Sequence, residues 1–515
     1  MRELMNHAPI VFYPNVRARQ ANGGSAAVAS PVHPAVGSGV LPFDIRRLPD
    51  GTLVGVSESG DHAFLSESEL DALRSNPNAI APHRRAELAA RFFLPNHGRN
   101  IGKERLLHAR RAARRETVTS GPSLHIIVPT LQCGHTCQYC QVSRAQSDDG
   151  FSMSHADLDA ACARIWESSA EVLTVEFQGG DPLLRFDLIT RAVTTLEAYN
   201  RDNRKRLRFV VASTLHQLTD DMCDFFAAHN VYLSTSLDGP AHLHDRNRPV
   251  PGRNSHARTL DGIELARRRI GPDAVSALMT TTRASLDYPE QIVDEYVRLG
   301  FRDIFLRPLS IYGFARRNLD RVGYSLEEFQ NFYRRALDRI LWWNRQGVQL
   351  REAYLSIILN KILSTFDAGY VDLQSPPGAG ASVLVYNYDG WVYPSDEARM
   401  LVETGDRSLR MGAVAEPLDT LLASDARMAL VDGAKAAAVD CAACAYRHYC
   451  APNPVDSQAQ FGRADVRAHE TEHCQRHLRL FDLAFTLIRN ADEAMEELLH
   501  DWARPNGSEV QPCAA

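Results

Sequence analysis

Three thiols stand on one short stretch, Cys133-Gly-His-Thr-Cys137-Gln-Tyr-Cys140. Thiolates so spaced can hold three irons of a 4Fe–4S cluster and leave the fourth iron open to another ligand. Structural zinc is the alternative; it needs four ligands, and His135 would be the fourth. A second group, Cys441-Ala-Ala-Cys444 with Cys450 and then Cys474, offers four thiolates at C-x2-C-x5-C…C spacing. That set fits one fully ligated 4Fe–4S cluster or a zinc ion, and spacing alone does not choose.

The elements that must position these thiols alternate from residue 122 onward. Short, often β-branched runs at 124–128, 172–177, 207–212, 231–236, 275–281 and 303–306 read as strands. Amphipathic stretches at 154–169, 187–200, 220–228, 256–269 and 289–298 read as the helices between them. Six such units predict a parallel sheet with right-handed crossovers, a partial barrel rather than a closed eightfold one. Residues just after each strand build the active site of such barrels. The first cysteine loop follows strand one, Gly179-Gly180-Asp181 follows strand two, Ser213 follows strand three and Ser236 ends strand four.

The flanks read differently. Residues 1–40 form a flexible segment, Ala/Gly/Ser/Pro-rich over 21–40. Pro49-Asp50-Gly51 signals a hairpin and Ser66 to Glu69 a capping box, so a small β-β-α module is expected, with a basic connector completing 41–118. The barrel takes 119–325, a helical then irregular bridging region 326–440, the cysteine-dense domain 441–500 and a tail 501–515.

The loop Cys133–Cys140, with Tyr139 before its last cysteine, resembles that of the radical SAM superfamily. The resemblance implies an α/β partial (β/α)6 radical SAM barrel. Its cluster binds S-adenosylmethionine (SAM) at the open iron and cleaves it reductively to a 5′-deoxyadenosyl radical. Gly179, Gly180 and Asp181 stand where the family has a Gly-Gly-Glu motif on the SAM amino group, with Asp a shorter reach. Ser213 is a ribose contact candidate, and Ser236 and Arg248 match SAM contacts of peptide-modifying members; an Arg fork suits a carboxylate.

Cys441 to Cys450 resembles the SPASM extension of radical SAM peptide maturases, and residues 41 to 490 resemble the His-Xaa-Ser system maturases. The runs that carry this resemblance are Tyr370-Val-Asp372, Tyr386-Asn-Tyr388-Asp389-Gly390, Asp396-Glu397-Ala-Arg399-Met400 and Tyr446-Arg447-His-Tyr449-Cys450. Where that family has cysteines for an inner cluster, this chain has Pro377, Ser395 and Asn453; Cys441, Cys444, Cys450 and Cys474 remain. The expectation is therefore two 4Fe–4S clusters, one binding SAM and one auxiliary. Asp396 stands where anaerobic sulfatase maturases keep a base for the substrate radical; the alternative is an ion pair with Arg399. The implied activity is cross-linking or oxidation of a ribosomally made precursor peptide, with flavodoxin or ferredoxin as electron donor. The N-terminal module is expected to hold a leader segment by strand addition. A maturase of a folded protein and a non-catalytic zinc protein are the alternatives.

A formal net charge of −6 argues against nucleic-acid binding. No apolar run approaches the roughly 18 residues of a membrane span, and no secretory pattern opens the chain, so a cytoplasmic address is expected. Reducing conditions there favour metal sites over disulfides for the ten cysteines. His469-Glu470-Thr-Glu-His473 matches a zinc-protease pattern but runs into Cys474, and reads as a charged turn. Cys162 and Cys223 read as core thiols, Cys513 lies too close to its terminus for a prenylation box, and Trp342, Trp343, Tyr388 and Tyr393 read as core aromatics.

Overall fold

The structure is a computed structural model and describes residues 39–95, 101–202, 204–364 and 369–504. Almost all of the expected flexible segment, Cys513 and most of the tail lie outside these residues. No helix among the described residues is long and apolar enough to cross a membrane.

Strands β1 (Phe43–Arg47), β2 (Leu53–Ser57) and β3 (His62–Leu65) form an antiparallel sheet in that order, before a helix at Glu67–Ser75. The expected β-β-α module thus has a third strand. Its four residues bury only Ala63 and Leu65, too short an alternation to stand out in sequence. The Ser66–Glu69 capping box forms as read. The carbonyls of His62 and Phe64 in β3 accept from Arg91 (2.6 Å) and Arg84 (2.5 Å), which leaves fewer acceptors there for an added strand.

The barrel strands are β4 (Leu124–Thr130), β5 (Val172–Gly179), β6 (Arg206–Ala212), β7 (Val231–Ser236) and β8 (Val275–Thr280). The sixth run splits in two: β9 (Asp303–Ile304) pairs with β11 (Arg351–Glu352), and β10 (Leu306–Arg307) pairs with β8. The bridging region adds β12 (Val383–Tyr386), β13 (Trp391–Tyr393) and β14 (Gly412–Ala413). One sheet results, in the order β10-β8-β7-β6-β5-β4-β12-β13-β14, parallel from β10 to β12 and open at both ends. The partial-barrel expectation is met as an open α/β sheet. Both its faces are covered: Ile127, Val175 and Phe177 pack under the helices, while Ile126, Val128 and Val385 fill the opposite face.

Strand β12 is a four-residue buried run in Gly/Pro-rich surroundings, which periodicity does not separate from a loop. Its pairing with β4 carries the helix Asp396–Val402 to the barrel. The module is clamped to the cysteine-dense domain. Arg46 chelates Asp482 (2.9 and 2.6 Å), Arg447 pairs with Asp44 (2.8 Å) and Glu58, and Tyr449 donates to the Gly60 carbonyl (2.8 Å). Arg110 and Arg111 of the basic connector pair with Asp61 and Glu58 of the module.

Candidate functional site

The loop after β4 carries Cys133, Cys137 and Cys140 into a cavity of about 1020 Å³ at the ends of β5, β6 and β7. Tyr139, Gly179, Gly180, Ser213, Ser236 and Arg248 line it too, so the structure gathers these sequence candidates around the three thiols. Three free thiols facing one space with Arg248 and the hydroxyls of Ser213, Thr214 and Ser236 fit a cluster with one open iron and an adjacent polar small molecule.

The Gly-Gly pair has a steric reason. A Cβ on Gly180 stands 2.1 Å from the Gln132 carbonyl oxygen, and one on Gly179 stands 2.3 Å from that of Thr130. The end of β5 lies flush against the entry of the cysteine loop, where Gly180 and Asp181 donate their N–H groups to the Thr130 and Gln132 carbonyls (2.9 and 2.7 Å).

Asp181 does not line this cavity. It is buried behind the wall, accepting from the hydroxyls of Ser213 (2.7 Å) and Thr214 (2.5 Å) and from Leu183 N–H (3.2 Å). Burial raises its pKa against those hydrogen bonds. Its shorter side chain thus holds wall hydroxyls, while Ser213 and Thr214 face the space. Arg248 is ion-paired through Nε with Asp238 (3.2 Å) and its guanidinium lies 5.2 Å from the Tyr139 ring, whose hydroxyl donates to the same Asp238 (2.7 Å). Asp238, fully buried, is the hub sequence reading missed; it sits in the Ser236–Pro240 run, which resembles an ordinary turn.

Cys441, Cys444, Cys450 and Cys474 line a smaller cavity of about 380 Å³ with Tyr446, Leu478 and Phe481. Burial pushes the Cys441 thiol up to about 12 and the Cys474 thiol up to about 11, and Cys444 raises both further. Thiols that oppose one another's ionisation are the donors a cation reverses. Cys450, His473 and His477 also bring ligand atoms within 4.8 Å of one another, a grouping across two elements that spacing did not suggest. Both His477 nitrogens have partners: Nδ1 the His473 carbonyl (2.7 Å) and Nε2 the Tyr354 hydroxyl.

Between the two cysteine sites lies a cavity of about 700 Å³. Arg307 and Ser310 line both it and the three-cysteine cavity, and His473 and His477 line both it and the four-cysteine cavity. It adjoins a space of about 310 Å³ on which Pro377, Ser395 and Asn453 converge. Ser395 and Asn453 there cap helices, accepting from Ala398 N–H (3.2 Å) and from Val455 and Asp456 N–H (3.1 and 3.0 Å). Asp396 lines none of these spaces; its carboxylate accepts from the fully buried Arg399 (3.1 Å). Its neighbour Glu397, given no role by the sequence, lines the 700 and 310 Å³ cavities with Asp372. Burial first, then Asp372 and Asp396, push Glu397 up to about 8.

The discounted signals resolve simply. His469 sits on a 3-10 turn and pairs with Asp440 (2.6 Å), whereas His473 is buried on the next helix, so the two share no helix face. Cys162 and Cys223 are core thiols, and Tyr393 is buried. Trp342 departs from the core expectation: it is 41% exposed, with the Arg339 guanidinium 4.1 Å from its ring.

Residues 127–295 match the Radical SAM superfamily model. An uncharacterized protein of Synechocystis sp. is 31% identical over 219 residues, 40% of this chain and 49% of that protein, so the chain spans about half that relative's length. The structure of anSMEcpe with bound AdoMet and Cp18Cys peptide superposes with a TM-score of 0.60 at 14% identity, covering 74% of this chain and 99% of the other. Streptococcus suis SuiB bound to precursor peptide SuiA gives 0.51 at 13% identity, covering 85% of this chain and 99% of SuiB. Residues 127–295 are thus similar to the Radical SAM superfamily, and the chain shares the fold of these two structures.

Proposed function

We propose that this chain is a radical SAM enzyme modifying a side chain of a ribosomally made peptide, with a second iron–sulfur cluster on Cys441, Cys444, Cys450 and Cys474. The observation that carries this reading is the run of adjoining cavities from the three-cysteine site, past Arg307 and Ser310, to the wall of the four-cysteine site. A peptide side chain entering the middle cavity faces both centres. A cluster and SAM held there would supply the radical chemistry for hydrogen-atom abstraction from the substrate.

The chain's own residues do the rest. Cys133, Cys137 and Cys140 would hold the first cluster, and Arg248, Ser213 and Ser236 would orient SAM at the cavity wall. Asp238 keeps Arg248 and Tyr139 in place. Glu397 presents to the middle cavity a carboxyl whose pKa burial and Asp372 raise, suited to moving a proton at the substrate. The peptides bound to SuiB and anSMEcpe support a peptide as substrate.

The test is iron, sulfide and zinc analysis of anaerobically reconstituted protein with EPR, followed by assay of 5′-deoxyadenosine. Two clusters give about eight irons per chain. About four irons with one zinc keep the radical chemistry and make the second site structural. No iron after reconstitution overturns the proposal. A substrate requirement for a leader segment separates a precursor peptide from a folded protein.

A further inference from the structure

His135, between the first two cysteines, belongs to a chain of hydrogen bonds whose proton directions are determined by its far end. The backbone N–H of Asp238 donates to His244 Nδ1 (3.3 Å). That nitrogen therefore carries no proton, and the neutral His244 ring holds its proton on Nε2. His244 Nε2 lies 3.1 Å from Ser255 Oγ and donates to it. The Ser255 hydroxyl, fully buried, then turns its own proton to its other partner, His135 Nε2, at 2.9 Å. His135 Nε2 is an acceptor, so the His135 proton resides on Nδ1.

Among the described residues no acceptor is found for that Nδ1–H, while His135 is among the residues lining the cavity with Cys133, Cys137 and Cys140. The His216 ring packs against it, tilted by 51° with centroids 4.5 Å apart, and is itself tied to the Ser255 carbonyl and Thr259 hydroxyl (3.1 Å each). The ring is thus held in orientation as well as in tautomer. A zinc ligand needs a bare nitrogen; this ring presents a donor.

We propose that His135 Nδ1–H donates a hydrogen bond to a sulfur of the iron–sulfur cluster on Cys133, Cys137 and Cys140, with the Asp238–His244–Ser255 chain selecting the tautomer that makes it a donor. This rests on the cluster reading above. Hydrogen bonds to cluster sulfurs help set reduction potential, because they stabilise the more negative reduced state. The chain starts at the residue that also holds Arg248 and Tyr139, so donor and SAM contacts share one anchor.

The experiment uses the full chain labelled with histidine carrying 15N in the imidazole ring only, because the His135 backbone N–H donates to Cys133 Sγ (3.5 Å), reconstituted anaerobically, analysed for iron and reduced. Pulsed EPR is expected to show a weak histidine 15N coupling that added SAM perturbs and that disappears in His135→Leu. A redox titration is expected to place His135→Leu about tenfold less reduced at a given potential, a shift of about 59 mV for one electron. His135→Asn, which keeps an N–H donor on a side chain of similar reach, is expected to titrate with the wild type. Ser255→Ala, which retains His135 but frees its tautomer, is expected to weaken the coupling. An iron-loaded wild type with no SAM-sensitive histidine coupling overturns the inference, and so does an unchanged potential in His135→Leu. A wild type that binds no iron overturns the cluster reading itself.

Discussion

Asp181 and Ser213 are joined by a 2.7 Å hydrogen bond that ties the end of β5 to the end of β6 directly behind the three-cysteine cavity. Thr214 occupies the other carboxylate oxygen, so this aspartate sets two wall hydroxyls. Asp181→Ala is expected to cost about 1–3 kcal/mol by stranding those donors. It is also expected to weaken SAM binding about tenfold, at unchanged iron content, by loosening Ser213. Denaturant titration and calorimetric SAM binding check both. Asp181→Glu is expected to overpack the buried site at a cost of about 1–3 kcal/mol rather than improve the contact.

Gly180 separates a steric role from a cofactor role. Because its Cβ position lies 2.1 Å and 2.3 Å from the Gln132 and Leu131 carbonyl oxygens, Gly180→Ala must move the backbone that leads into Cys133. Iron per chain after reconstitution is expected to fall by about half, as the first cluster is lost and the auxiliary one remains. EPR of the reduced variant checks which cluster survives.

Two adjacent carboxylates are expected to fail in different ways. Asp396→Asn leaves the fully buried Arg399 without its ion pair and is expected to destabilise the fold by about 3 kcal/mol. Glu397→Gln keeps the fold and SAM binding but is expected to abolish peptide product, since its carboxylate faces the middle cavity. Burial and the neighbouring Asp372 hold Glu397 above the usual carboxylate range, so the ionised base gains population as pH rises and product formation is expected to climb with pH in the wild type. Product assays across pH, beside thermal melts of both variants, distinguish the two roles.

Glu176 makes stability depend on pH. It is 1% exposed, accepts from Gln178 (2.9 Å), and is pushed up to about 7 first by burial and then by Asp396. Its folded pKa lies above its unfolded value, so its contribution is fully present below about pH 4.5 and is lost as pH rises through 7. The expected loss between pH 4.5 and 8 is on the order of 3 kcal/mol, and Glu176→Gln removes it. Chemical denaturation of both proteins at the two ends of that range checks the sign.

Much of the site was legible in residue type and spacing. The thiols of Cys133, Cys137 and Cys140 announce themselves because few side chains other than cysteine bind iron–sulfur clusters, and their position after a strand follows from the βα alternation. The replacement of three expected cysteines by Pro377, Ser395 and Asn453 was likewise readable one position at a time. Their convergence on one space, beside Glu397, was not, because it depends on three segments folding together.

What sequence by itself determined is the chemistry on offer: two sets of thiolates, a βα sheet to carry them, and the residues at the strand ends. Tertiary structure decided which way side chains face. It set Asp181 behind Ser213, turned Asp396 onto Arg399 and Glu397 into the cavity, and brought Asp238 under Arg248. It also added β12 beside β4 and clamped the N-terminal module on Arg447. The physical reason is common to these cases. A buried polar group must find a partner, and partners such as Asp44 and Arg447 lie hundreds of residues apart, where local pattern carries no information about them.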